Sequence, residues 1–256
     1  MSSTLITGYL SEGIASARPA TPSITSGAIA FYYATDTSVL SVWNGSSWGS
    51  VGGGYSPGTA PTVVQSQSQV TGNEGLTLGT APISGNLLVA MSWNVPSPST
   101  GSGWTELLQN GSGTDYGTIY YKVAGSSESA TQNPLSANET PGCMVMWEIN
   151  GQNATVATAL LQSIAEAEQT SATLAFSPVM LPLAPNLLFL GGIGLVSSAG
   201  NFETVYNVTV DQAVKTGSTR QIVAGHATLA TAPTAQIAAS ISASSSYKAM
   251  GLLISS

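Results

Sequence analysis

Residues able to do chemistry are few in this chain, and their spacing joins them into no known catalytic device. His226 is the only histidine and Cys143 the only cysteine. A Ser–His–acid arrangement would have to use His226, which sits inside the strand-like run QIVAGHATL, and no G-x-S-x-G elbow accompanies it. His226 is therefore expected as a packed or surface residue. Cys143 opens the apolar run CMVMWEI, where burial suppresses the thiolate, so an inert thiol is expected and an intramolecular disulfide is excluded. One His and one Cys cannot close a zinc site within one copy, and no calcium loop of spaced acids is present. Gly52-Gly53-Gly54 lacks the following Lys and helix of a phosphate-binding loop. No metal, no cofactor and no enzymatic activity are expected.

Two chemistries need fewer groups. Glycoside hydrolysis needs a pair of carboxylates at a set separation, and Glu106, Asp115 and Glu148 each lie near an aromatic residue, Trp104, Tyr116 and Trp147. Nothing in the spacing fixes their separation, so solvated acids beside core aromatics are the expectation. Carbohydrate binding without chemistry is better supported. Trp93, Trp104, Tyr116, Tyr120 and Tyr121 surround two polar loops, SWNVPSPSTGSGW and QNGSGTDYG, whose Ser, Asn, Asp and Gly content suits adaptable hydrogen bonding. The candidate glycan-binding set is Trp93, Trp104, Asp115 and Tyr116; the competing expectation is that both tryptophans are core residues.

These residues must be positioned by strands. From Thr62 onward, runs rich in β-branched and apolar residues recur between Gly, Pro, Asn and Ser clusters. Strands are predicted near 62–70, 86–93, 103–109, 116–124, 142–149, 171–176, 186–196, 202–210, 218–229, 234–241 and 246–254. One helix competes with a strand and loop, at Ala157 to Glu168. An internal echo runs through the region, since Asn86-Leu-Leu-Val-Ala-Met and Asn186-Leu-Leu-Phe-Leu-Gly open similar successions of strands. Two halves that cannot bury their faces alone are expected to pack as a jelly-roll-like β-sandwich. The fold class is all-β: a docking arm over 1–27, a three-stranded meander connector over 28–51, a Gly/Pro linker over 52–61 and the sandwich over 62–256.

The meander is the most informative stretch. Phe31, Tyr32 and Tyr33 lead into the turn-forming Thr35-Asp36-Thr37, Val39 to Trp43 return, and Asn44-Gly45 tolerates the positive φ of a tight hairpin before Trp48. Three short strands are marginal alone, so this block must lay its aromatic side chains on a larger body or on copies of itself. Phe31, Tyr32, Tyr33, Trp43 and Trp48 are the candidate assembly residues. The order Ala17-Arg18-Pro19-Ala20, Pro22, Gly27, FYYATDT, LSVWNG and Trp48 resembles a short module of bacteriophage tail-fibre and other virion proteins. It covers about the first fifth of the chain. The resemblance implies a virion structural component, carries no catalytic residue, and points to a fibre, spike or capsid-decoration subunit for host attachment or particle stabilisation. A polysaccharide depolymerase and a free carbohydrate-binding module are the alternatives.

Composition agrees with a structural role. Only 7% of the 256 residues are charged, against about a quarter in an average soluble domain. Few Lys or Glu side chains must then be desolvated when copies pack, which suits a homotrimer and other virion proteins as partners. The formal net charge is −7, and the bases Arg18, Lys122, Lys215, Arg220 and Lys248 form no basic stripe. Nucleic acid and anionic membrane are therefore not expected partners. No secretory signal is apparent at the amino terminus, and the most apolar window, Met180 to Val196, is broken by prolines and glycines, so no membrane span is expected. The five Asn-X-Ser/Thr sequons are by-products of composition. The expected location is the particle surface, with host polysaccharide as a further partner.

Overall fold

The computed structural model describes residues 8–13, 15–23, 29–34, 39–43, 48–50, 59–70, 75–95, 98–112, 115–136, 143–152, 160–165, 169–171, 174–176, 186–195, 201–216, 220–229 and 236–256. The chain separates into two compact units, Met1–Gly58 and Thr59–Ser256. Their boundary falls inside the Gly/Pro segment expected as a linker, of which residues 52–58 lie outside the described residues. The turns at Thr35-Asp36-Thr37 and Asn44-Gly45 lie outside them as well.

The first unit is a four-stranded sheet in the order β1 (Gly8–Gly13), β2 (Ile29–Ala34), β3 (Val39–Trp43), β4 (Trp48–Ser50). Strands β2 to β4 are the expected meander, antiparallel throughout. The difference lies in the arm. Gly8–Gly13 does not stand apart as a docking tail but pairs in parallel with β2 along its full length. A parallel pair needs a crossover of a dozen or more residues, and the segment between β1 and β2 supplies it, with a 3₁₀ turn at Ala15–Ala17.

The second unit is an all-β sandwich of two five-stranded antiparallel layers. The first layer has the order β5 (Thr62–Val70), β11 (Cys143–Asn150), β7 (Leu87–Val95), β9 (Asp115–Val123), β8 (Thr105–Ser112). The second has the order β12 (Leu160–Ala165), β20 (Ser245–Ile254), β15 (Leu187–Leu195), β18 (Arg220–Leu229), β17 (Thr209–Thr216), and β13 (Gln169–Ser171) continues the β12 edge along β20. Residues 160–165, where a helix competed with a strand, are extended, because they close the open edge of β20.

Numbered within each half, both layers read first, fifth, second, fourth, third. The correspondence extends outward. The pair β6 (Leu76–Thr77) and β10 (Thr131–Gln132) lies over the first layer, and β14 (Leu174–Phe176) with β19 (Ala238–Ile241) occupies the same place in the order of the second half, extended there by β16 (Phe202–Tyr206). The internal echo is thus a duplicated unit. Each layer comes from one contiguous half of the chain, whereas a jelly roll exchanges strands between its layers.

The core shows why neither half is self-sufficient. Leu87, Val89, Met91 and Trp93 of the first layer meet Leu188, Leu190, Ile222, Ala224, Met250, Leu252 and Ile254 of the second in one buried cluster. The inward positions are odd on β7 and even on β15. The Asn86/Asn186 alignment is therefore one residue out of phase, and a one-residue slip exchanges the faces of a strand. The ladders supply the correct phase, since Leu87 pairs with Ile149 and Leu188 with Ile254. Trp93 and Gly194 then occupy equivalent positions and face one another, as residues beside a two-fold axis do. A Cβ on Gly194 would lie 2.6 Å from Trp93 Cδ1, and one on Gly192 2.6 Å from its Cη2. The two copies have diverged to an indole on one side and its glycine seat on the other.

Candidate functional site

The structure separates the four candidate glycan-binding residues. Trp93 is fully buried, its indole N–H donating to the Lys248 carbonyl at 3.2 Å, so it is a core residue and offers no face to a sugar; this corrects the surface role considered for it. Tyr116 is half-buried near the start of β9, and the side chain of Asp115 lies outside the described residues. Lys122, at the other end of β9, is six residues from Tyr116, roughly 20 Å along an extended strand. Trp104 belongs to the Lys122 end, because Thr105 pairs with Tyr121. The four residues therefore do not converge.

Trp104 instead lines a cleft of about 500 Å³ on the outer side of the first layer. Its buried apolar lining side chains are Trp104 and Leu135, members of the apolar cluster that covers this face together with Leu76, Leu88 and Met146. Around them stand Lys122, Glu128, Gln132 and Asn133, with the Ser102, Thr131 and Ser136 hydroxyls. The loop before β8 is fastened to the segment after β10 by Gly101 N–H to the Pro134 carbonyl at 2.8 Å, Ser136 N–H to the Ser99 carbonyl at 2.9 Å and Ser136 Oγ to the Thr100 carbonyl at 2.9 Å. Gly101 is required by this approach, since a Cβ there would lie 2.0 Å from the Asn133 carbonyl oxygen.

One ion pair holds the wall of the cleft. Lys122 Nζ meets Glu128 Oε1 at 2.7 Å, Gln132 Nε2 donates to the same oxygen at 3.0 Å, and Gly125 N–H donates to Oε2 at 3.0 Å. Desolvation pushes the Glu128 carboxyl upward, but the Lys122, Gly125 and Gln132 donors outweigh it and hold the pKa at about 2. The turn is thus locked across ordinary pH. Sequence reasoning missed Lys122, Glu128, Gln132 and Asn133. The available signal was Gly101-Ser102-Gly103-Trp104, a tight turn delivering an aromatic side chain, with Gly103 at φ 77°.

The acids considered for hydrolysis are kept apart. Glu148 is fully buried and accepts from Gln65 Nε2 at 2.5 Å, Ile83 N–H at 2.7 Å and Asn86 Nδ2 at 2.6 Å, so it anchors the segment before β7. Glu106 is exposed on β8, and two strands separate it from β11, about 14 Å at ordinary strand spacing. His226 Nδ1 lies 2.8 and 2.9 Å from the two oxygens of Asp211, which also accepts from Trp147 Nε1 at 2.8 Å. Asp211 sits at a bulge in β17. The bulge sends both Asp211 and Gln212 toward the first layer, where Gln212 bonds Ser66 and Ser68. The Asp211 hydrogen bond raises the His226 pKa and its charge raises it further, against an opposing desolvation. Asp211 is the only side-chain partner of the His226 ring among the described residues, so the pair ties β17 to β18 within the second layer, and the Trp147–Asp211 bond carries that tie to the first layer. No group of three or more potential metal ligands converges among the described residues.

In the first unit, four of the five candidate assembly residues have described side chains; that of Tyr33 lies outside them. Tyr32 is buried, while Phe31, Trp43 and Trp48 are half-buried. Trp48 meets Tyr32 edge-on at 6.2 Å and Trp43 at 5.6 Å, Arg18 lies over its ring at 5.8 Å, and its N–H donates to the Pro19 carbonyl at 2.7 Å. Arg18 also donates to the buried Ser41 hydroxyl at 2.9 Å. No protein-family model matches the chain, and no curated protein or solved structure is significantly similar to it.

Proposed function

We propose that the chain is a structural subunit of a bacteriophage or phage-like particle: a fibre, spike or decoration protein, assembled as a homotrimer, whose first unit attaches and whose sandwich is presented at the particle surface. The observation that carries this reading is the Trp48 cluster. Arg18, Pro19, Tyr32, Trp43 and Trp48, which carry the resemblance to the virion module, are also the residues that gather into one small aromatic nucleus. A four-stranded sheet cannot fully cover such a nucleus, and Phe31, Trp43 and Trp48 stay half-buried, as suits residues that finish packing against another chain. The low charge of the chain favours close packing of copies in the same way. The work of such a protein is mechanical and adhesive, and the reading assigns it no reaction.

The mass of the purified full chain in solution tests the proposal. A trimer that persists on dilution is expected. A stable monomer overturns it and favours a free binding module. Antibody labelling of particles seen by electron microscopy then locates the subunit at head, baseplate or fibre.

A further inference from the structure

The outer layers of the two halves differ at the cleft beside Trp104. In the second half β16 pairs with β19 through Phe202, Val205 and Tyr206. In the first half the corresponding segment forms, among the described residues, a single β-bridge, Thr100–Leu135, beside the Gly101–Pro134 and Ser136–Ser99 backbone bonds. The missing pairing leaves the space that the cleft occupies. Its shape is nevertheless fixed, because the Gly101–Pro134 and Ser136–Ser99 backbone bonds hold one side and the Glu128 hydrogen bonds hold the other.

We infer that this cleft is a binding site for a neutral saccharide. Three features select that class. Among the described residues the only charged groups lining it, Lys122 and Glu128, are paired at 2.7 Å, so they present no net charge to attract an ion and both already have a partner. The rest of the polar lining consists of amides and hydroxyls, Gln132, Asn133, Ser102 and Thr131 among them, groups that both donate and accept as a polyol does, with Gln132 Nε2 already engaged by Glu128 and the Ser129 carbonyl and Thr131 Oγ1 by Thr77 Oγ1. The apolar part of the lining is the Trp104 indole and Leu135, both buried, which suit the C–H face of a sugar ring. A volume of about 500 Å³ falls in the ordinary range for small-ligand sites. The inference does not rest on the particle reading: a monomer that binds sugar would overturn that reading and keep this one, and a trimer with a silent cleft would do the reverse.

The test titrates the ¹⁵N-labelled full chain with maltotriose, mannotriose, galactotriose and chitotriose, and with 3′-sialyllactose as the charged comparison. The readouts are the Trp104 indole and Gln132 side-chain amide signals. Saturable shifts of both with at least one neutral trisaccharide are expected. Ser102→Trp fills the mouth from an exposed position and is expected to weaken that binding at least tenfold without moving Tm, with Thr131→Arg as the second variant. The inference is overturned if no neutral trisaccharide moves these signals, if only sialyllactose does, or if the shifts are unchanged in both folded variants.

Discussion

Single residues in this molecule are held by shape in the core and by charge at its edges, and the two respond differently to substitution. Trp93 lies against the backbone of β15 because Gly192 and Gly194 present no side chain there. The indole is rigid and fully buried, so it cannot swing away from a new methyl group. Gly194→Ala is expected to destabilise the protein by about 2 kcal/mol in denaturant unfolding, and Trp93→Leu combined with it is expected to cost less than the sum of the two single changes. At the β5–β17 edge the Asp211–His226 pair adds a pH dependence with a definite sign. The folded His226 pKa stands above 6.5, so the pair's contribution is fully present below about pH 6.5 and is lost as the pH rises through the folded value. Asp211→Asn is therefore expected to destabilise more at pH 6 than at pH 8.5, measured as paired unfolding curves. An Asp211→Asn effect that is the same at both pH values would show that Asp211 acts only through Trp147.

Elements are fastened by what their ends touch. The ribbon β6/β10 has only two residues in each strand and holds its place through Leu76, Leu78 and Leu135 in the outer apolar cluster and through Glu128, which ties the preceding turn. Four short strands make the first unit, and they depend on Trp48, which joins β4, β3, β2 and the Arg18-Pro19 segment. Trp48→Ala is expected to raise amide hydrogen exchange throughout residues 8–50 while leaving the core strands β7, β11 and β15 protected. Loss of protection in those strands as well would mean that the two units unfold together. Most long strands from Thr62 onward were legible, since alternating or continuous apolar runs between turn residues mark strands directly, whereas β1, β6, β10 and most of β17 escaped that reading. The parallel pairing of Gly8–Gly13 was not legible, because a strand of Gly, Ser, Tyr and Glu shows no period and its partner lies across a long crossover.

At the scale of the molecule, the sandwich is two copies of one design closing on each other. Each half has one layer whose inner face is largely apolar and finds its cover in the other half. Residues 59–152 produced alone are therefore expected to be insoluble or to lack a cooperative unfolding transition, and to recover a native circular dichroism spectrum when refolded with residues 153–256. A soluble, cooperatively folding single half would contradict the interdependence. The duplication also accounts for the functional asymmetry. Two related outer surfaces allow one to carry a third strand, β16, while the other opens a cleft.

What the order of residues determined by itself was the class of fold, the two-part division, the repeat, and the poverty of catalytic groups, because these follow from composition, period and turn chemistry along the chain. The placement of each aromatic side chain was decided by tertiary structure. Trp93 and Trp104 stand in similar surroundings in the sequence, yet one fills the contact between layers and the other lines a cleft. Their separation follows from the phase of two β ladders and from glycines one hundred residues away, and the joining of Lys122 to Glu128 and Gln132 likewise follows from a turn folding back on its own strand. Such contacts depend on distances in space, which no local pattern of residue types contains.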